Sequence, residues 1–255
     1  MFGLKEEVRD FFDKIAPQYF GSRYGDRKDL CSAEMIGRKN AVLSFLDKYG
    51  YKNGKLLDAG CGSAVMIREF LDRGYEVCGI DISQKMIDEA GKMVKSERAH
   101  FSVGDVEAMS FPSGAFDAIV SIGVLDYLKK DEDALKEMKR VLKPGGIAIL
   151  SVSNRYSLVH ALRSAFAPFA KLASWKKSKE KVYCAKFSTR AHDPWGFDAL
   201  LSKQGFHKLD ARFVGSAFIP FNVKLPRPYL VFTERFPGLF SRFPLSAGYV
   251  VVVKR

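Results

Sequence analysis

The sequence predicts an α/β domain built on a mostly parallel sheet with helices on both faces. Three observations carry that expectation. The middle of the chain alternates short apolar runs with amphipathic stretches, the rhythm of βαβ units. The first run ends in a turn of small residues, Gly60-Cys61-Gly62-Ser63-Ala64, placed to open a helix. The chain has 255 residues, 47% of them apolar, enough to enclose a sizeable core.

Five runs read as central strands: Lys55–Ala59, Glu76–Asp81, Ala99–Val103, Phe116–Ile122 and Ile147–Ser153. Their continuous Leu, Val and Ile content suits strands buried on both faces, as parallel strands are. Ser83 is a good N-cap for a helix whose Met86, Ile87, Ala90 and Met93/Val94 keep helical spacing. A second helix begins near Asp131 with Ala134, Leu135, Met138, Val141 and Leu142 on one face, and stops at Pro144-Gly145-Gly146. Past Asn154 the pattern loosens through a basic stretch. It recovers in a helix from Pro194 to Gln204, with Trp195, Phe197, Leu200 and Leu201 as its apolar set, and then in a strand from Lys208 to Gly215. Tyr249–Val253 is β-branched and unalternated, which predicts a strand inside the sheet and not at its edge. The resulting plan is a single domain over 1–255: a helical approach in 1–50, a core in 51–153, a basic insertion in 154–190, and the rest of the core in 191–255. That last part holds a second insertion at 216–246, too long for a plain hairpin loop.

Charge is unevenly placed. Residues 1–150 hold 23 basic and 24 acidic side chains, net −1, whereas residues 151–255 hold 18 and 5, net +13. The second part also carries 18 of the 33 aromatic residues. A face both cationic and apolar suits an anionic partner such as a membrane surface, nucleic acid or an acidic substrate, and equally a solvated surface. The four cysteines include no C-x-x-C pair, so neither a disulfide framework nor a zinc site is expected, and a reducing cytosol fits. Residues Met1 to Asp10 mix both charges, and no window reaches the roughly 18 apolar residues of a spanning helix, so a soluble or peripheral protein is expected.

The glycine turn carries the chemistry. Gly60 and Gly62 let backbone approach a ligand closely, and a helix start beyond them offers free N–H groups. Asp81 ends the next strand, 23 residues after Asp58, where a carboxylate can take hydrogen bonds from both ribose hydroxyls. Together they point to a nucleoside-bearing cofactor. A dinucleotide needs a third small residue at position 65, where this chain has Val65. Asp58, just ahead of the turn, would repel a pyrophosphate and attract an α-ammonium group instead. Taken singly, each piece also has a plain structural reading, a strand-end turn or a helix cap.

With Leu57-Asp58-Ala59-Gly60-Cys61-Gly62, Gly79-Ile80-Asp81-Ile82-Ser83, Gly104-Asp105-Val106-Glu107, Phe116-Asp117-Ala118-Ile119-Val120-Ser121 and Leu142-Lys143-Pro144-Gly145-Gly146 in this order, the chain resembles the class I S-adenosylmethionine-dependent methyltransferases over about residues 8–153. It is most similar to their small-molecule group, which includes the ubiquinone and menaquinone C-methyltransferases. The resemblance implies a Rossmann-like, seven-stranded, mostly parallel sheet whose last strand is antiparallel, and S-adenosyl-L-methionine as cofactor. It implies that Asp58 and Gly60, Cys61 and Gly62 face the methionine moiety, Asp81 the ribose, and Asp105 and Val106 the adenine, with Ile82 and Ser121 bordering the same site. Phe12 to Tyr19 looks like the family's lid helix, in which Tyr19 or Tyr24 would close over the cofactor. Many relatives carry His in place of Asp126 or Tyr127, so these two residues become candidates to orient or deprotonate the acceptor. Helix capping and packing remain their alternative roles.

Methyl transfer from a sulfonium needs alignment and water exclusion more than a strong base. Where a base helps, His192, His160 and Asp126 are the candidates. Three functions are compatible with these residues. The first is methyl transfer to a small acceptor that is lipophilic or presented at a membrane. The second is nucleic-acid methylation, which lacks here the Asn/Asp-Pro-Pro-Tyr and Pro-Cys motifs. The third is a non-catalytic, cofactor-binding protein.

Overall fold

The computed structural model describes residues 3–20, 30–158, 189–215 and 244–255. His160, Tyr24, most of the 154–190 insertion and nearly all of 216–246 lie outside them.

The apolar runs form strands β1 (Lys55–Ala59), β2 (Glu76–Asp81), β3 (Ala99–Val103), β4 (Phe116–Ile122), β5 (Leu142–Ser153), β6 (His207–Val214) and β7 (Gly248–Lys254). Helices α1 (Gly3–Phe20), α2 (Leu30–Tyr49), α3 (Ile67–Asp72), α4 (Gln84–Met93), α5 (Glu132–Val141) and α6 (Pro194–Lys203) accompany them. The seven strands lie in the order β3-β2-β1-β4-β5-β7-β6. The first five are parallel, and β7 runs antiparallel between β5 and β6. Strand order reverses between β1 and β4. In an open α/β sheet the carboxyl ends of two such strands diverge into a crevice, the usual place for a ligand.

Each buried strand serves two cores, because successive side chains point to opposite faces. Val251 and Val253 pack with Leu135, Met138, Phe197 and Leu201 of α5 and α6. Val250 and Val252 pack with Val42, Phe45 and Leu46 of α2 and with Ile67 and Phe70 of α3. The interior position expected for 249–253 is therefore observed. Burying one such side chain is worth about 1.5–3 kcal/mol.

Three elements differ from expectation. β3 is a sheet edge and not a doubly buried strand: His100, Ser102 and Val103 are exposed, Val103 by 49%. The helix from Asp131 ends at Val141, and Leu142 pairs with Phe116 as the start of β5. The register then shifts, so Lys143–Gly146 bulge out before Ile147 meets Ala118. Gly145 takes a left-handed φ of 82° there, and a Cβ on Gly146 would sit 2.9 Å from the Asp117 carbonyl, so the Pro-Gly-Gly cluster kinks a strand as well as ending a helix. In α6, Trp195 points outward, 58% exposed, while Phe197 and Leu201 are buried.

α1 lies against α4, with Ile15 and Ala16 packed on Met86. As expected, Ser83 caps α4 by accepting from the Met86 N–H at 3.1 Å. The Ser83 hydroxyl in turn donates to Asp13 of α1 at 2.5 Å, and Asp13 also accepts from the Lys85 N–H at 3.2 Å. No helix among the described residues is long and apolar enough to cross a membrane.

Candidate active site

The turn after β1 is fixed by its own backbone. The N–H groups of Gly60 and Cys61 both donate to the Ile80 carbonyl, at 2.8 and 2.9 Å. Gly60 has φ +87°, and a Cβ there would lie 2.1 Å from Val124 Cγ2, so no other residue fits. The Gly62 N–H donates to Asp81 Oδ2 at 3.0 Å, and the Ser83 N–H to Asp81 Oδ1 at 3.0 Å. These bonds seat the Asp81 carboxylate at the end of β2, directly beside the glycine turn. Its pKa is raised, because burial outweighs the backbone donors.

Asp58 is buried at 7% exposure, and burial together with the nearby Asp81 charge pushes its pKa up to about 7. A carboxylate raised in this way gains from a cation delivered by a ligand. Ser63, fully enclosed in the same turn, has a hydroxyl with no hydrogen-bond partner among the described residues. An amino-acid end, one ammonium and one carboxylate, matches those two unmet groups. The Cys61 thiol is also buried, and burial beside Asp58 and Asp81 raises its pKa well above the ordinary value, so it is an inert thiol.

Beyond β3, Asp105 folds back on its own turn, Oδ1 accepting from the Glu107 N–H at 2.9 Å. Its Oδ2 takes the Lys5 ammonium of α1 at 2.5 Å, and Lys5 also reaches Glu107 at 2.5 Å. Val106 is buried among core residues, and Ile82 is half-buried after Asp81. Ser121 is another residue expected to border the cofactor. It is fully buried, and its hydroxyl donates to the Ala59 carbonyl at 2.9 Å, tying β4 to β1 below the crevice.

α1 covers the glycine turn. Tyr19 Cε1 lies 3.5 Å from where a Cβ of Gly62 would stand. Phe12 meets Tyr19 edge-on at 6.2 Å between ring centroids and Tyr127 at 5.2 Å. Tyr19 and Tyr127 thus share one aromatic wall.

Asp126 and His192 come together, but turned into the protein. Asp126 accepts from the Ser153 N–H at 2.9 Å and the Ser153 hydroxyl at 2.7 Å, with Arg38 at 3.9 Å. Burial alone would raise its pKa; His192, Arg38 and Ser153 prevail and hold it below the ordinary value. His192 Nδ1 lies 3.4 Å from Asp126 Oδ1, without hydrogen-bond alignment, and Nε2 lies 3.2 Å from Asp131 Oδ2. Burial opposes its charge, yet the two carboxylates push its pKa up to about 9. The raised pKa of His192 favours its protonated form, and Asp126 is enclosed and ion-paired. In the structure these two general-base candidates stand together in a buried ion cluster. Asp13, Ser63, Arg38 and Asp131 were not singled out from the sequence. A hydroxyl directly after the glycine turn was a signal for Ser63, whereas the others depend on partners far away in the chain.

Residues 57–150 match the family model described as Methyltransferase domain. Malonyl-[acyl-carrier protein] O-methyltransferase of Enterobacter lignolyticus is 28% identical over 73% of this chain and 65% of its own length. The 2-methyl-6-phytyl-1,4-hydroquinone methyltransferase of Synechocystis is 33% identical over 39% of this chain and 32% of its own. The chain thus spans less than two thirds of the length of these curated relatives. Among solved structures, magnesium protoporphyrin IX methyltransferase from Synechocystis with bound SAH superposes with a TM-score of 0.68 at 16% identity, over 99% of both chains. The Methyltransferase domain match thus falls on the segment that carries the glycine turn and the strand-end carboxylates, and the chain shares its fold with a solved methyltransferase.

Proposed function

We propose that the chain transfers a methyl group from S-adenosyl-L-methionine to a small acceptor that is lipophilic or presented at a membrane surface, as one methyltransferase domain over 1–255. The observation that carries the reading is the placement of Asp58 and Asp81 at the glycine turn beside the strand-order reversal, with Asp105 after β3 held to α1 by Lys5. Asp58 holds the cofactor's ammonium group, Ser63 and the Gly60–Gly62 backbone its carboxylate end, and Asp81 the ribose. Asp105 accepts from the adenine amino group, with Ile82 and Val106 against the ring. The bound cofactor supplies an electrophilic methyl group on a sulfonium. Tyr19 and Phe12 exclude water from that end, and Tyr127 faces the acceptor. Asp126 and His192 act by holding the segment that carries Tyr127.

The acceptor class rests on different support. The segment 151–255 is strongly cationic and aromatic, and Trp195 and Tyr156 stand exposed together, ring centroids 5.6 Å apart, on its described part. A greasy, basic face suits a bilayer or an amphiphilic acceptor.

Calorimetry with S-adenosylmethionine, its demethylated product and NAD tests the cofactor. One site for the first two and none for NAD is expected. Asp81→Ala removes charge-assisted bonds worth about 1.5–3 kcal/mol, a loss of about ten- to a hundredfold in affinity. Unchanged affinity in that variant would sink the ribose assignment.

A further inference from the structure

We infer that Arg38, Asp131 and Arg190 are positioning residues: with Asp126 and His192 they form a row of alternating charge, buried from Arg38 to Asp131 and reaching the surface at Arg190, that fixes the Gly123–Leu128 segment at the reacting end of the site. The reacting-end assignment rests on the methyltransferase reading above; the charge row itself does not.

The row starts on α2. Arg38, 3% exposed, donates to the Ser151 hydroxyl at 2.9 Å and the Ser153 hydroxyl at 3.2 Å from β5, and to Glu34 on its own helix at 2.6 Å. Two glycines leave the slot through which it reaches. A Cβ on Gly123 would stand 3.3 Å from Arg38 NH1, and one on Gly248 would stand 3.0 Å from Arg38 Nε. Gly123 also has φ +66°, so the start of the segment is shaped by glycine and guanidinium together. Next to Arg38 comes Asp126, then His192, then Asp131. Asp131 is gripped by Arg190 through two bonds, at 3.1 and 3.0 Å, the bidentate geometry of a strong pair.

The same residues hold the main chain. The Arg190 N–H donates to the Asp126 carbonyl at 2.8 Å, and the Arg190 guanidinium to the Leu128 carbonyl at 3.1 Å. The His192 N–H donates to the Ser153 carbonyl at 2.8 Å. Four pieces of the fold are pinned at one place: α2, the end of β5, the 3-10 turn Leu125–Tyr127 and the approach to α6. Tyr127 ends the pinned turn, its ring on Phe12 of the covering helix.

With His192 protonated, Arg38, His192 and Arg190 balance Glu34, Asp126 and Asp131. Without that proton, Asp126 and Asp131 face a neutral ring. His192 is packed by Asp126 from the turn after β4, Asp131 from before α5, the Phe197 ring of α6 at 5.4 Å, and Asp193 next in its own chain, which caps α6 by accepting from the Trp195 N–H. Arg38 and Arg190 act on it through the two carboxylates. An uncompensated buried charge is costly, so loss of the proton loosens the turn.

The test follows the His192 imidazole by NMR from pH 6 to 10, together with hydrogen exchange of residues 123–128, corrected for intrinsic rates. It uses the full chain, first alone and then with the demethylated cofactor product. Protection of 123–128 is expected to fall in step with His192 deprotonation, with a midpoint near about 9. Asp131→Asn moves the midpoint down and Arg190→Gln moves it up, each by about half a pH unit or more, and the loss of protection follows. If Asp131→Asn does not fold, Arg190→Gln decides alone. Protection indifferent to the imidazole charge, or a midpoint unmoved by the charge variants, overturns the inference. Failure of the wild type to bind the product overturns the methyltransferase reading and leaves the charge row standing.

Discussion

Lys5 and Asp105 lie at opposite ends of the first hundred residues, yet the Lys5 ammonium stands 2.5 Å from Asp105 Oδ2 and joins α1 to the turn after β3. The pair is substantially exposed, so its net worth is at most about 1 kcal/mol. Lys5→Met should therefore leave global unfolding almost unmoved while speeding hydrogen exchange along residues 4–19. High salt should produce the same acceleration in the wild type, because exposed pairs are screened. Identical exchange of that helix in the wild type and variant, at low salt, would show that Lys5 does not fasten it.

On the proposed reading, Asp58 makes cofactor affinity depend on pH. Its pKa in the folded chain is about 7 against an ordinary 3.8, so the free protein carries the proton at mildly acid pH. Holding an ammonium requires the carboxylate. Affinity for S-adenosylmethionine should weaken as pH falls below about 7, up to tenfold per pH unit, with proton release on binding that differs between buffers of different ionisation enthalpy. Since the folded state holds that proton more tightly than the unfolded one, the same group stabilises the free protein at low pH, and the contribution fades as pH rises from 3.8 to about 7. Asp58→Asn should flatten both profiles.

For His192 the window lies higher. Its pKa is raised from 6.5 to about 9, so its contribution to stability is complete below 6.5 and is lost as pH climbs through about 9. Urea unfolding between pH 6 and 10 should show that decline in the wild type. His192→Gln should be less stable at pH 6 and flatter above it. A wild type whose stability holds level to pH 10 would contradict the ion cluster.

Gly60→Ala should be severe for two separable reasons, a positive φ and a Cβ 2.1 Å from Val124 Cγ2. A loss of about 2–4 kcal/mol is expected, combining backbone strain with overpacking. Val124→Ala removes the obstructing methyl and should restore part of that loss, leaving the backbone share. A double-mutant cycle in thermal unfolding measures the coupling, and strict additivity would mean that the two side chains do not meet.

For the membrane-facing part of the proposal, the measurement is co-sedimentation with anionic and neutral vesicles at low and high salt. The wild type should pellet best with anionic lipid and retain part of its binding at high salt. Phe232→Ser/Phe236→Ser/Phe240→Ser should abolish the salt-resistant part, since apolar anchoring survives screening and ionic attraction does not. Equal pelleting by both proteins would show that those aromatics do not anchor the chain to the bilayer.

Much of the cofactor half was legible because its signals are local. The turn at Gly60–Ala64, the cap at Ser83 and the carboxylate at Asp81 are each set by neighbours within a few residues, and strand periodicity places them at one edge of the sheet. The acceptor half was legible only as a position. Asp126 and His192 were named as candidate bases, but whether a carboxylate faces a substrate or a buried guanidinium is decided by Arg38 and Ser153, residues far off in the chain. Nothing in the local run around Arg38 distinguishes it from a solvated helix arginine. The length of β5 was missed for a related reason: Pro144-Gly145-Gly146 reads as a stop, and only pairing with Phe116 shows that the strand resumes on both sides of it.

The central place of β7 bears on how the chain is made. Among the described residues β6 pairs with no strand but β7, and β5 has no second neighbour until β7 arrives. Residues 215–247 must be synthesised in between. For that interval a nascent chain presents an unpaired, apolar β5 edge and an orphan β6, the species most open to capture by another strand. Expression yield should therefore respond to conditions at the ribosome, such as chaperone supply and elongation rate over codons 215–254, more sharply than the stability of the finished sheet would suggest.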